Sequence, residues 1–173
     1  MRSLLITFMK LKYFTTFTAI SILGLGVALA NIENVFAQHK LCTDNSSCLI
    51  YTENDVAIKG ADPVAYFRQG KFVGGNSQFT HQWNGATWHF STSENRDLFM
   101  ANPEKYAPQY GGYCAYAVSE GYIAEIDPAA WSIVDGKLYL NFSLRIRDLW
   151  SRDLPGNIAK GNNNWPLSEL TNN

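Results

Sequence analysis

The 173-residue sequence has no run or stripe of lysine and arginine, no glycine-rich loop that would cradle a phosphate, no dinucleotide fingerprint and no internal repeat. Binding to phosphate backbones needs clustered Lys and Arg, so nucleic acid is excluded as a partner. Nucleotide binding through a glycine-rich loop lacks its motif. Sulfur and imidazole are also scarce, with three cysteines, three methionines and three histidines. Cys42 and Cys48 flank Thr-Asp-Asn-Ser-Ser, a polar turn-forming stretch that suits a small disulfide loop. Thiolate binding of a metal by the same pair is the competing reading, and two cysteines alone are a weak signal for such a site. An odd cysteine count in an exported chain leaves at least one thiol without an intrachain partner.

Long apolar runs are confined to the N-terminus. Arg2, Lys10 and Lys12 precede an almost uncharged stretch from Tyr13 to Ala30, the pattern of a secretory signal. Cleavage is expected after Ala37, with Ala30 as the other small-residue site, so that residues 1–37 are signal and the mature protein is periplasmic or secreted. The run is near the short limit for spanning a bilayer, so an uncleaved membrane anchor is the alternative. Removal of three basic residues and one acidic residue leaves 11 basic and 14 acidic, a net charge of −3. The remainder divides into an N-terminal segment at 38–57, one domain at 58–166 and a tail at 167–173, with the chain from Gly161 onward reading as loosely held. Asn45-Ser-Ser47 and Asn141-Phe-Ser143 match the glycosylation acceptor pattern.

From Asp62 onward, turn chemistry organises the chain. Asp62-Pro63, Asn102-Pro103 and Asp127-Pro128 each set a capping side chain before a proline suited to a first helical turn, which predicts three helix starts. Asn84-Gly85 and Asp135-Gly136 lie between strand-like runs and predict two β-hairpins. Ser91-Thr-Ser-Glu94 reads as a capping box for a helix that stops near Asn102. Ile146, Leu149, Trp150 and Leu154 share one helical face, in a helix predicted to end at Pro155. Short strands mixed with several short helices, without repeated strand-helix-strand units, predict a small single-domain α+β fold.

In the first hairpin, a two-residue turn pairs Trp83 with Ala86, His81 with Trp88 and Phe79 with Phe90 on one face. Gln78, Thr80, Gln82, Thr87, His89 and Ser91 fall on the other. His81 therefore reads as a core imidazole, and His89 as the better metal-ligand candidate or an ordinary polar surface histidine.

Asp62-Pro-Val-Ala-Tyr66, then Trp83-Asn-Gly-Ala-Thr-Trp-His-Phe-Ser-Thr-Ser-Glu-Asn95, then Leu98-Phe-Met-Ala-Asn-Pro-Glu-Lys-Tyr106 resemble the YHS domain, a small module found alone and inside heavy-metal transport proteins. The resemblance spans about Ile58 to Tyr106. The continuation, from Tyr110-Gly-Gly-Tyr-Cys-Ala-Tyr116 through Pro155-Gly-Asn-Ile-Ala159 to Asn164-Trp-Pro166, resembles the longer exported YHS-domain proteins of bacteria, for which it implies no established activity. Metal-associated members carry cysteine at three positions that correspond here to Ala65, Ser91 and Asn95. Neither a serine hydroxyl nor an asparagine amide replaces a thiolate toward a soft metal. What remains for a copper-type cofactor is His89, Cys114 and Met100, donors from three separate elements.

Cys114 sits in Gln109–Val118 (QYGGYCAYAV), where Gly111-Gly112 permits close backbone approach and Tyr113–Ser119 suits a short helix ending near Gly121. A small buried thiol is the leading reading, ahead of metal ligand, disulfide partner and nucleophile. Enzyme readings rank third overall: Ser91, His89 and Asp97 supply triad residue types with no nucleophile elbow, and the pairs Glu120/Glu125 and Asp148/Asp153 look like solvated charges. The expected function is a non-catalytic module for a small molecule or metal, with a pocket formed by Tyr66, His89, Tyr110, Tyr113, Cys114 and Tyr116. The alternative is a structural or interaction domain, with a protein partner, whose aromatic residues build core and contact surface.

Overall fold

The computed structural model describes residues 50–166. Both signal cleavage sites, Asn45, the Cys42–Cys48 pair and the tail at 167–173 lie outside the described residues. What is described is a small α+β domain, with a four-stranded sheet, a separate two-stranded hairpin and short helices around them.

The first strands are β1 (Thr52–Glu53) and β2 (Val56–Ala57), joined through Asn54 and Asp55, both at positive φ. β2 runs parallel to β4 (Ala86–Phe90) with Val56 opposite Thr87, and β3 (Asn76–Trp83) closes the order β1-β2-β4-β3. Residues ahead of Ile58 thus supply an edge of the sheet, and Ile50 enters the core at 6% exposure. Between β2 and β3 lies α1 (Pro63–Gln69), capped by Asp62 and stopped by Gly70 in the left-handed conformation.

The Asn84-Gly85 turn forms as expected, with Trp83 opposite Ala86 and His81 opposite Trp88. The expected Phe79–Phe90 pair does not form, because a bulge between Asn76 and Thr80 places Asn76 opposite Phe90. The cause is local: Asn76 Oδ1 accepts the Gln78 N–H at 2.9 Å and turns the strand out of register. Strand alternation buries Ala86, Trp88 and Phe90 and leaves Thr87 and His89 half-buried on the other face.

Helix α2 (Ser93–Ala101) follows, then α3 (Pro103–Tyr106), capped by Asn102 through its bond from Lys105 N. The cap of α2 is Thr92, whose Oγ1 accepts the Asn95 N–H at 3.1 Å, and not Ser91, whose hydroxyl is engaged elsewhere. The third Asp-Pro pair also departs from expectation. Asp127-Pro128 opens strand β5 (Asp127–Val134), where Asp127 Oδ1 takes the Ala129 N–H in a turn that no helix continues. β5 pairs with β6 (Lys137–Asn141) across Asp135-Gly136, the second expected hairpin.

α4 is shorter than expected, Ala115–Ser119, because Tyr113 is extended. α5 (Leu144–Trp150) carries Trp150 into the core, but Pro155 does not end the helical region. It lies in the first turn of α6 (Leu154–Asn164), capped by Asp153, where a proline loses no helical hydrogen bond. The stretch from Gly161 to Asn164, read from sequence as loosely held, is the last turn of that helix, and Gly161 is buried.

Two apolar clusters result. The larger, under the four-stranded sheet, centres on Trp88, Phe90, Phe99, Tyr66 and Leu140. The smaller gathers Tyr110, Ala115, Val118, Tyr139 and Trp150, with Ile158 and Trp165 packed against it. Among the described residues no helix is long and apolar enough to cross a membrane.

Candidate functional site

Three places in the domain concentrate polar chemistry. The first is Asp62, which has no exposed surface. Its Oδ1 accepts the N–H groups of Val64 and Ala65 at 2.9 and 3.2 Å, the usual work of a helix cap. Its Oδ2 accepts from Ser91 N at 2.8 Å, Ser91 Oγ at 2.6 Å and Asn95 Nδ2 at 2.7 Å. One buried carboxylate therefore takes five donors from α1, the end of β4 and the first turn of α2. Ala65, Ser91 and Asn95 do come together in space, around a carboxylate that uses the polar groups of all three. This hub was not legible from sequence, because the capping role of Asp62 accounts for only one of its oxygens.

The second place is Cys114, 1% exposed, in a parallel bridge with Leu140. Its Sγ accepts the Phe142 N–H at 3.3 Å and lies 3.8 Å from Asn141 Oδ1, which also accepts Tyr116 N–H at 3.2 Å. Asn141 itself is fully buried, so the acceptor pattern at Asn141-Phe-Ser143 is out of reach in the folded domain. Cys114→Ala is expected to cost about 1–2 kcal/mol, from a small cavity and an unpaired Phe142 N–H. In the native protein a thiol reagent should label Cys114 only after denaturant is added. Quick native labelling that copper blocks would reverse this account.

The other expected ligands come from other elements. His89 lies on β4 opposite Thr80, with its backbone against Gly75 and its ring near Gly60. Met100 is half-exposed on α2. Among the described residues no three His, Cys, Asp or Glu side chains gather as a metal-holding group. Tyr66 is in the core, donating its hydroxyl to Pro128 O at 2.8 Å, and burial, with the nearby Asp127 and Asp62 charges, raises its pKa. Tyr113 packs between Tyr51 and Trp165, and Tyr116 is half-buried beside both apolar clusters.

The third place is a cleft of about 310 Å³. Its floor is the Ala107–Gly111 loop, one wall is Trp83 and Asn84 at the hairpin turn, and the other is Asn162 and Trp165 at the end of α6, with Ile50 completing the lining. Tyr110 is the one residue of the expected pocket that lines it. Among the described residues no Asp, Glu, Lys, Arg, His or Cys contributes to this lining.

Tyr110 is held in place with some backbone strain. It adopts φ 54°, a left-handed conformation that disfavours side chains other than glycine. Its hydroxyl lies 3.2 Å from Ile158 O and 3.1 Å from Asn162 Oδ1, both on α6. Its ring lies against Gly161, where an added Cβ would come within 2.6 Å of the phenol oxygen. Burial, with the Tyr139 phenol adding to it, pushes the Tyr110 pKa from 10.0 up to about 12. The fold thus favours the protonated phenol: its contribution is complete below pH 10 and is lost as pH rises through 12. Urea midpoints measured from pH 9 upward should fall with pH, and Tyr110→Phe should make that fall shallower. Tyr51, Tyr66, Tyr113 and Tyr139 shift the same way, so some slope will remain in the variant. An identical slope in the variant would contradict the buried, hydrogen-bonded phenol.

Compared with known proteins, residues 64–110 match the YHS domain. No curated protein and no solved structure matches the chain. The matched stretch contains Trp83, Asn84 and the Ala107–Tyr110 part of the cleft floor, whereas Ile50, Gly111, Asn162 and Trp165 lie outside it.

Proposed function

The chain carries a YHS domain over residues 64–110, and from that premise we propose that it is an exported, non-catalytic module that binds a small molecule where this domain meets the C-terminal helix. The observation that supports this reading is the lining of the cleft. Three aromatic residues and three amides line an open cleft of about 310 Å³, at the lower end of the range for small-molecule sites. Among the described residues the lining has no Ser, Thr, Cys or Lys nucleophile and no group that titrates near neutral pH, which suits holding a molecule better than transferring protons.

A copper-type metal is the weaker reading. Ser91 and Asn95 already spend their polar groups on Asp62, and Cys114 Sγ is enclosed by Asn141 and Phe142. Native mass spectrometry of protein recovered from its own host separates the readings. The expected result is an organic mass retained at one per chain and lost in Trp165→Ala. Retained copper would reverse the proposal in favour of metal, and a bare chain would favour a purely structural domain.

A further inference from the structure

We infer that the place where the YHS resemblance implies a soft-metal site, at Ala65, Ser91 and Asn95, is in this chain a site for a carboxylate, filled by Asp62 of the same chain. This centre shares no residue with the cleft lining, so it stands whatever the cleft binds. The direction of the donors decides the charge. Asn95 Nδ2 lies 2.7 Å from Asp62 Oδ2, so the amide turns its NH₂ toward the carboxylate, and an amide nitrogen offers a metal no lone pair. Ser91 gives its single hydroxyl proton to the same oxygen at 2.6 Å, and at 3.3 Å it accepts from Asn95 Nδ2. Its backbone N–H is the third donor, at 2.8 Å. Three positive hydrogens thus converge on one oxygen, and a cation bound there would have to stand among them.

The ligand set fails a metal as well. A soft ion is held by thiolates, whose charge and polarisability a hydroxyl and an amide lack, and Ala65 brings only its backbone N–H, to Oδ1 at 3.2 Å. Asp62 is the one anion of the group, and its five donors already fill its roughly four lone-pair sites. Burial then decides the strength. Asp62 has no exposed surface and Asn95 is 4% exposed, so water does not compete for these donors in the folded domain. The Oδ2 donors are positioned without help from Asp62, by strand β4 and by the first turn of α2, which Thr92 caps through the Asn95 N–H. With the Asp62 side chain removed they become buried donors without an acceptor, a state that a small carboxylate from solution relieves and a cation does not.

The test has two arms, both on the whole protein. In the wild type, Zn(II) and Cu(I) in small excess should leave the NMR signals of the Asn95 side-chain NH₂ and the Ser91 backbone N–H in place. These signals belong to the centre itself, so metal taken up elsewhere on the chain does not disturb the readout. In Asp62→Ala, sodium formate at roughly 0.2 M should raise the urea midpoint above its value in sodium chloride of equal ionic strength, because formate binds the folded form alone. The wild type, whose site is filled, should show no difference between the two salts, and adding Ser91→Ala to Asp62→Ala should remove most of the formate effect. If Asp62→Ala is unfolded in chloride, the same comparison reads whether formate folds it. A saturable metal-induced shift of the wild-type Asn95 and Ser91 signals overturns the inference in favour of a metal site. A formate effect no larger than that of chloride overturns the carboxylate site.

Discussion

Asp62→Ala should lower the stability of the domain by about 3–5 kcal/mol, among the largest effects expected for a single substitution. The alanine removes the cap of α1 and, with it, every acceptor that Val64 N, Ala65 N, Ser91 N, Ser91 Oγ and Asn95 Nδ2 now use. Hydrogen bonds to a charged group contribute about 1.5–3 kcal/mol each, and the five do not add, since water entering the site recovers part of the loss. Asp62→Asn distinguishes a hub from a simple cap. Its amide keeps one acceptor and turns an NH₂ toward donors, either the two N–H groups of α1 or the group formed by Ser91 and Asn95. A cap alone tolerates asparagine as well as aspartate, so a simple cap predicts no loss. The hub predicts a loss intermediate between wild type and alanine. Urea denaturation of the three proteins decides it, and an alanine variant within about 1 kcal/mol of wild type would remove the hub from the account.

The hub also shows where the sequence was informative and where it was not. Both hairpins were legible because Asn84-Gly85 and Asp135-Gly136 adopt the positive φ values that those residue types supply cheaply. Two of the three capped prolines opened helices for the same local reason. Asp127-Pro128 did not, since a side chain that accepts a nearby N–H serves a turn into a strand equally well, and Trp131 and Ile133 then pack against the core. Ser91 and Asn95 could be singled out by position, but nothing local says that they turn toward an aspartate about thirty residues earlier. The cleft was still harder to see. Its lining comes from the chain ahead of β1, the first hairpin turn, the loop after α3 and the end of α6, and only Tyr110 stood out from sequence. Asn162 and Trp165 lie in an asparagine-rich stretch of low helix propensity, which reads as a tail until the Tyr110 contact with α6 is known.

That contact supports the second large effect. Tyr110→Ala should cost about 3–4 kcal/mol, the usual range for deleting a buried aromatic ring, partly offset if the backbone relaxes from its left-handed conformation. The ring is 5% exposed, packs on Tyr139 and Trp165, and ties the loop to α6 through Ile158 and Asn162. Gly161 is the other half of the contact, and at this position two forces oppose each other. An alanine in a helix interior gains about 0.5–1 kcal/mol over glycine. Here its Cβ would fall 2.6 Å from the Tyr110 phenol oxygen and 2.7 Å from the ring carbon that carries it. The ring has nowhere to retreat, being strained at the backbone and bonded at the hydroxyl, so overpacking of about 1–3 kcal/mol outweighs the helical gain. Gly161→Ala should therefore destabilise the wild-type protein. In the Tyr110→Ala background the clash is gone and the helical gain stands alone, so the same substitution should become stabilising. A change of sign between the two backgrounds, measured as a double-mutant cycle by urea denaturation, is the expected result. If Gly161→Ala shifts stability equally in both, the ring does not bear on α6 and the cleft wall is not fixed in advance of its ligand.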